Sequence, residues 1–457
     1  MRRRVQNRLY RLYRFGSKAS FELGQRITPF GWMVIIGCPF IGFVTAMYPR
    51  DTLFRLLAIY FAVIGVALIG AWLRRAKIRV RRYLPRYATV GERLEYTVRY
   101  ENLTRFVLRN FYLNELAPDP IPSRELFLHS TEPGEELRNT FDQTFVAYRW
   151  MWMIRRRLLL KSEAVLAEPV GGKMSGTVRV SFLPIRRGVI QLERMRVVLP
   201  DPLGCFQRSW RVEQEKDTVI VLPKRYRFAG FQIDGESRSQ LGGDSSSSVA
   251  GQSGEFVSLR EYRPGDPPKH IHWPSWGKTG KPIIKEYEDV FFPRYGLVLD
   301  TVVKAEMERV FEEAISIAAT FASSVDTEQS LLDLMFVQQG AQVHTVGKNV
   351  ERVDKMLEVL AGLDMETSPE WDELVKMVLK HAEAMTTCIV VLCSLDEERV
   401  EFLERLAASG VSLSVLLVVD EGAEGHGGES AGSVRVTRVS VHQVEAGLEQ
   451  LSGARSS

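Results

Sequence analysis

Gly296-Leu297-Val298-Leu299-Asp300 decides the fold of the C-terminal part of this 457-residue chain. The run is apolar without polar alternation and closes on an acid, so it reads as a strand covered on both faces, the mark of a parallel sheet flanked by helices. Downstream, residues 305–325 place Val310, Ala314, Ile317, Ala318 and Phe321 on one side of a helix. Residues 331–337 and 342–346 read as two strands turned at Gly340, and helices are expected at about 349–361 and 369–385. A central strand at 387–393, a helix at 396–409 and a strand at 411–419 follow. Strands alternating with helices imply a doubly wound α/β domain over residues 294–420. Ligands of such sheets bind at the carboxyl ends of the strands, which puts Asp300 and the Ser394-Leu395-Asp396 loop on the functional face. Residues 421–457 form a tail: 421–433, rich in Gly and Glu, are expected to be disordered, with a weak strand and a helix at the end.

Immediately upstream, residues 256–293 contain Leu259-Arg260-Glu261-Tyr262-Arg263-Pro264-Gly265-Asp266 and, beyond two prolines, Lys269-His270-Ile271-His272-Trp273. Arg263-Pro264-Gly265-Asp266 reads as a tight turn, with Pro264 pre-setting φ and Gly265 accepting a positive one. The turn is expected to bring Arg260, Glu261 and Asp266 together as ion pairs, with Trp273 packing as a large plane. The same residues read equally well as architecture or as a recognition surface.

This run resembles the signature of the domain of unknown function 58 family: Arg-Glu-Tyr, a Pro-Gly-Asp turn, a basic residue, then Ile-Asp-Trp. Arg260-Glu261-Tyr262, Pro264-Gly265-Asp266, Ile271 and Trp273 match, whereas Lys269 stands for the usual Arg and His272 for the usual Asp. Arg186-Arg187-Gly188 and Asp201-Pro202-Leu203-Gly204-Cys205-Phe206 resemble two further elements of that family, so the likeness spans roughly residues 30–420. It implies a von Willebrand factor type A-like C-terminal domain, and the order of strands and helices after residue 294 is similar to that domain. Metal-binding domains of this type end their first strand Asp-x-Ser-x-Ser, because a hard divalent cation needs several oxygen ligands. The same spacing here gives Asp300, Val302 and Lys304. No bound metal and no cofactor are therefore expected, and Lys304 reads either as an internal counter-charge for Asp300 or Asp396 or as a solvated Lys at a helix start.

The N-terminal part reads as a membrane hairpin, residues 31–75. Residues 31–48 carry no charge and 53–73 carry only Arg55, each long enough for a bilayer. Ala58, Ala62, Ala67 and Ala71 read either as a close helix contact or as lipid-facing residues. The leader, residues 1–30, holds eight Lys/Arg against Glu22, and residues 74–82 hold six Lys/Arg. Basic flanks on both ends place the N-terminus and everything after residue 74 in the cytoplasm, as a two-pass inner-membrane protein. Residues 1–295 carry 48 basic and 28 acidic side chains, and residues 296–457 carry 12 basic and 28 acidic. Basic charge beside membrane spans speaks for lipid, not nucleic acid, as the partner. Cys38, Cys205, Cys388 and Cys393 form no disulfide framework.

Between hairpin and signature, residues 76–225 show short alternating runs such as 92–100 and 177–182, pointing to an all-β sandwich-like domain. Residues 148–160, aromatic and basic, read as a long strand covered on both faces, or as an element against anionic lipid. Residues 226–255, with Ser245-Ser246-Ser247-Ser248, read as a Ser/Gly-rich linker.

No constellation for catalysis stands out, so the chain reads as a non-catalytic, membrane-anchored adaptor or scaffold. Proteins of similar sequence are linked with MoxR-type AAA+ ATPases and transglutaminase-like membrane proteins, which the resemblance implies as partners in assembly or maturation of envelope or enzyme complexes. Two other readings stay open: a metal-dependent hydrolase using His270, His272 and Asp266, and an outward-facing envelope polymer-binding protein.

Overall fold

The computed structural model describes residues 2–48, 51–73, 76–228, 255–266, 268–288, 293–325, 330–347, 353–366, 371–420, 428–431 and 434–453. The expected linker therefore lies largely outside the described residues, as do 421–427 of the tail. Two compact units emerge. One is Met1–Tyr226 with Lys304–Glu308 and Leu357–Thr367; the other is Arg227–Val303 with Arg309–Met356 and Ser368–Ser457.

The first unit opens with helices α1 (Arg2–Arg26), α2 (Pro29–Met47) and α3 (Asp51–Leu73). The basic leader is thus helical. By length and composition α2 and α3 can each cross a bilayer, with mean hydropathy 1.9 and 2.5. Their large apolar side chains face outward, Ile36 66% and Phe40 69% exposed, unlike the core helices of a soluble protein. The helices meet where Tyr60 donates to the Val34 carbonyl at 2.9 Å. Of the four alanines on α3, Ala67 is fully buried and Ala71 half-buried, while Ala58 and Ala62 are exposed. Ala67 joins Val34 of α2 and the loop residues Cys205 and Phe206 in one buried cluster.

Strands β1 (Ile78–Tyr83), β2 (Tyr87–Thr89), β3 (Leu94–Asn102) and β4 (Phe111–Glu115) come next. Helices α4 (Arg124–His129), α5 (Thr140–Phe145) and α6 (Ala147–Arg157) interrupt them. The chain resumes with β5 (Leu160–Ser162), β6 (Val165–Ala167), β7 (Ser175–Pro184), β8 (Gly188–Pro200) and β9 (Gln207–Leu222). Two sheets result, β1-β3-β7-β5 and β2-β9-β8-β4-β6, antiparallel except for the β2–β9 pair. Period-two alternation turns Tyr96, Val98 and Tyr100 of one sheet and Phe111, Leu113, Ile190, Leu192 and Val197 of the other into one shared core.

The strand expected at 148–160 is instead α6, and a strand begins only at Leu160. Trp150 and Met153, three residues apart, share a helical face and pack with Phe127, Leu9 and Tyr10 of α1. The Trp150 ring lies edge-on to Tyr10 and Phe127, and its Nε1 donates to Ser17 Oγ at 3.0 Å. Packing against a second helix overrode the β context, and it removes Trp150 from any lipid surface.

The second unit holds β10 (Glu255–Glu261), α7 (Trp273–Thr279) and β11 (Ile283–Glu288), the two strands forming an antiparallel pair of their own. In chain order there follow β12 (Arg294–Leu299), α8 (Glu308–Ser324), β13 (Leu331–Val337), β14 (Ala341–Val346), α9 (Val353–Gly362, counted with the first unit from Leu357 on), α10 (Trp371–Ala382), β15 (Thr387–Leu392), α11 (Glu397–Ala408), β16 (Ser412–Val419), β17 (Gly428–Ala431), β18 (Val434–Ser440) and α12 (Val444–Gly453). The sheet order is β14-β13-β12-β15-β16-β18-β17. The β12, β13, β15, β16 and β18 strands run parallel, and β14 and β17 are antiparallel at the edges. The hairpin expected at Gly340 is present, with Gln339 and Gly340 both at positive φ. One departure is β17, a strand inside the tail expected to be disordered; β18 supplies it with a ladder of hydrogen bonds.

Candidate functional site

Three groups of residues carry the features singled out in the sequence, and the first is the signature segment. Asp266 N–H donates to Arg263 O at 3.1 Å and Gly265 sits at φ +109°, so the Pro-Gly turn forms as read. The Asp266 carboxylate accepts both Nη1 (2.7 Å) and Nη2 (2.8 Å) of Arg260 and the Arg263 amide at 2.8 Å. Arg260, first among these, holds the Asp266 carboxyl at about 2, below its ordinary 3.8. Glu261 departs from the expected trio and pairs with Lys281 at 3.0 Å. Alternation explains this: Arg260 and Glu261 are neighbours on a strand and point to opposite faces.

Trp273 is not a buried anchor. It is 63% exposed and stacks on Trp276, with ring centroids 5.2 Å apart and planes at 18°. The reason is local: His272 N–H donates to Ile283 O and starts α7, so Trp273 falls on the first turn of a seven-residue helix with Trp276 one turn on. His272 Nδ1 lies 2.7 Å from Ser275 Oγ, and Lys269 is exposed in the turn of 3₁₀ helix Pro268–His270. Tyr262 N–H donates to Pro282 O, which closes the segment between β10 and β11. Among the described residues no group of three or more His, Cys, Asp or Glu side chains could hold a metal, so His270, His272 and Asp266 are not brought together as one.

The second group lies at the carboxyl ends of the parallel strands. Asp300, fully buried after β12, accepts Arg399 Nε at 2.8 Å and Nη2 at 3.0 Å, and the Val302 amide at 3.2 Å. Arg399 Nη2 also donates to Val302 O at 2.8 Å, its Nη1 donates to Asp396, and its guanidinium lies 4.5 Å from the centre of the Trp371 ring. Asp396 caps α11, accepting Arg399 N–H at 3.0 Å. Burial works against the Arg399 charge, but hydrogen bonds and charge from Asp300 and Asp396 outweigh it and hold the guanidinium above its ordinary value. The counter-charge is therefore Arg399, not the exposed Lys304. It enters from the first turn of α11, ninety-nine residues away from its acid, and no local pattern announces it. These residues do not fit a hard divalent cation. Both Asp300 oxygens are committed to a guanidinium, and Val302 and Lys304 add no side-chain oxygen.

The third group was legible only as a motif. Asp201 of the Asp-Pro-Leu-Gly-Cys-Phe run folds the loop on itself, accepting the amides of Leu203 (3.1 Å) and Phe206 (2.9 Å). The loop then offers its carbonyls to the start of α2. Thr28, the N-cap, donates its hydroxyl to Gly204 O at 2.6 Å, with Cys205 O at 3.0 Å, and accepts the Gly31 amide at 2.9 Å. A Cβ at Gly31 would collide with the Cys205 carbonyl, and one at Gly70 of α3 would meet Pro202 Cδ at 2.9 Å. Gly31 and Gly70 escaped the sequence reading because each is unremarkable in an apolar helix, and Thr28, which precedes α2, because its loop partner lies 176 residues away.

The thiols of Cys388 and Cys393 are not activated. Burial pushes Cys388 up to about 12 and Cys393 well above its ordinary value.

No family model matches the chain. It is 25% identical over 259 residues to the uncharacterized protein YeaD of Bacillus subtilis (strain 168), a match that takes in 55% of this chain and 61% of that protein. The chain thus spans about three-fifths of that relative's length. Among solved structures, a CARDB domain from Pyrococcus furiosus is similar over 32% of this chain and 93% of its own at 11% identity, with a TM-score of 0.16. A β-glucosidase from Listeria innocua in complex with isofagomine is similar over 30% of this chain and 16% of its own, at 11% identity and a TM-score of 0.15. Overlaps of that size carry no argument about this chain.

Proposed function

We propose that this chain is a member of the domain of unknown function 58 family that anchors in the inner membrane by α2 and α3 and works there as an adaptor for protein partners. In this reading the N-terminus and everything after residue 74 are cytoplasmic. The paired sheets are a β-sandwich, and β12 to β18 with their helices are a von Willebrand factor type A-like domain. The strand order, with an antiparallel hairpin beside the first strand, supports that last assignment.

The observation that carries the reading is Arg399 seated between Asp300 and Asp396. At the strand ends, where this kind of sheet recognises ligands, a permanent cation held from within leaves a rigid, preformed face. That suits protein recognition without an ion. The partner class follows from the resemblance: a MoxR-type AAA+ ATPase, together with transglutaminase-like membrane proteins.

Affinity capture of the full chain from detergent-solubilised native membranes tests this. An AAA+ ATPase enriched with the wild type is the expected result, and repeated recovery without any ATPase defeats the adaptor reading. A reporter fused to the carboxyl terminus tests topology separately. Activity only outside the cytoplasm would favour the envelope polymer-binding alternative.

A further inference from the structure

The side of α1 that packs on protein carries Leu9, Tyr10, Tyr13 and Ser17: Leu9 and Tyr10 join the cluster with Phe127 and Trp150, Tyr13 donates to Phe145 O, and Ser17 accepts from Trp150. A helix so placed on a soluble protein turns a polar face to water. α1 does not. Val5, Leu12, Phe15, Ala19 and Leu23 recur at i, i+7, i+10, i+14 and i+18, all on the side away from Leu9 and Tyr10 or at its flank. Leu12 is 61% and Phe15 73% exposed. Alongside this stripe run Arg8, Arg11 and Lys18, also exposed.

The outward face thus mixes apolar and cationic side chains, with Glu22 the one acid of α1, over a 25-residue helix roughly 37 Å long. Only Ile27 and Thr28 separate it from α2, whose own first turns expose Phe30, Trp32 and Met33. An apolar stripe flanked by Lys and Arg, continuous with a bilayer-crossing helix, matches the chemistry of one surface: the headgroup layer of an anionic membrane.

We propose that the outward face of α1 lies in that layer, with Leu12 and Phe15 among the first acyl-chain carbons below the headgroups and Arg8, Arg11 and Lys18 on phospholipid phosphates. The inference rests on the anchor reading of α2 and α3. Its consequence is that the α4–α6 helices, which pack on the other side of α1, are held at the membrane surface.

The test uses the full chain with Cys38→Ala, reconstituted in phosphatidylcholine with or without phosphatidylglycerol. An environment-sensitive dye is placed at Leu12→Cys, Phe15→Cys or, as a marker of the hairpin, Ile59→Cys, and bromine-labelled lipids quench it. Bromine deep in the chains should quench the Ile59 probe in either lipid. Bromine near the headgroups should quench the Leu12 and Phe15 probes, more strongly with phosphatidylglycerol. Removing Arg8, Arg11 or Lys18 as Gln should each shift that equilibrium about fivefold toward water. A quenched Ile59 probe with water-exposed Leu12 and Phe15 probes in both lipids would overturn the proposal while leaving the anchor intact. Shielding that occurs only when another protein co-purifies would overturn it in favour of a protein partner. An unquenched Ile59 probe would remove the anchor itself, and the proposal with it.

Discussion

Thr28 Oγ1 lies 2.6 Å from the Gly204 carbonyl, a contact across 176 residues that ties the N-cap of the first apolar helix to the Asp201–Phe206 loop between β8 and β9. Two more bonds secure the junction: Thr28 N–H to Cys205 O at 3.1 Å and Arg208 Nη1 to Trp72 O at 2.7 Å. The hairpin is therefore not a tether on a flexible leash. Both of its cytoplasm-proximal ends, in the proposed orientation, are bonded to the β layers.

Gly31→Ala should loosen this junction. Its Cβ would fall on the Cys205 carbonyl, and a backbone atom can yield only by shifting the loop. A loss of about 1–3 kcal/mol is expected, read as a lower unfolding midpoint in detergent and faster protease cleavage near Gly204. Gly42→Ala, where nothing lies within 4 Å, is the control and should change neither.

Arg82 and Glu115 form an ion pair whose side chains are wholly inaccessible, with nitrogen–oxygen distances of 2.8 and 2.9 Å, and Tyr96 donates to Glu115 at 2.5 Å. Arg82→Met strands the Glu115 carboxylate in the β core and should cost about 3–5 kcal/mol, whereas Glu115→Leu leaves Arg82 paired with Asp217 at 3.1 Å and should cost less. The double substitution should recover most of that loss. Equilibrium unfolding of the four proteins, read as a cycle, decides the matter; additive losses would show that the two charges are not coupled.

Arg399→Ala should destabilise the α/β region by a similar amount, about 3–5 kcal/mol, because it leaves Asp300 buried without its cation. Arg399→Lys should rescue little, since one ammonium cannot reproduce the two bonds to Asp300 and the bond to Val302 O. Added guanidinium ion, at concentrations too low to denature, should raise the melting temperature of the Ala variant alone. The wild type should melt at the same temperature in Mg²⁺ as in EDTA, because a ligand that does not bind the folded state cannot shift its unfolding.

The Asp266–Arg260 pair sets a pH dependence. The folded carboxyl titrates at about 2 rather than 3.8, so the pair stabilises the signature turn above 3.8 and yields that contribution as the pH falls through about 2. Carbon-13 NMR of labelled Asp in the full chain should show one carboxyl titrating near this value. In Arg260→Gln it should move back toward 3.8. A carboxyl that titrates normally in the wild type would mean the bidentate pair does not form in solution.

Periodicity told the long elements apart. The unbroken apolar runs of α2, α3, β12 and β15 and the alternation of β3 and β7 are dictated by how much of each face leaves water, which adjacent residues already specify. Where two solutions satisfied the same composition, the pattern failed. Residues 148–157 could alternate as a strand or close a helical face, and the presence of α1 made the helix win. Trp273 could be read as a core anchor because nothing local says that the turn before it aims the ring outward.

Residue order alone was enough for the two apolar helices, the two strand-rich stretches, the Pro-Gly turn and the buried strand ending at Asp300, since each depends on neighbours within a few positions. Which charges meet was settled only by the folded chain. Arg399 on Asp300, Arg82 on Glu115 and Thr28 on Gly204 join residues 99, 33 and 176 positions apart. A buried ion or hydroxyl must find its partner wherever packing leaves one within reach, and that distance is a property of the assembled layers, not of the spacing along the chain.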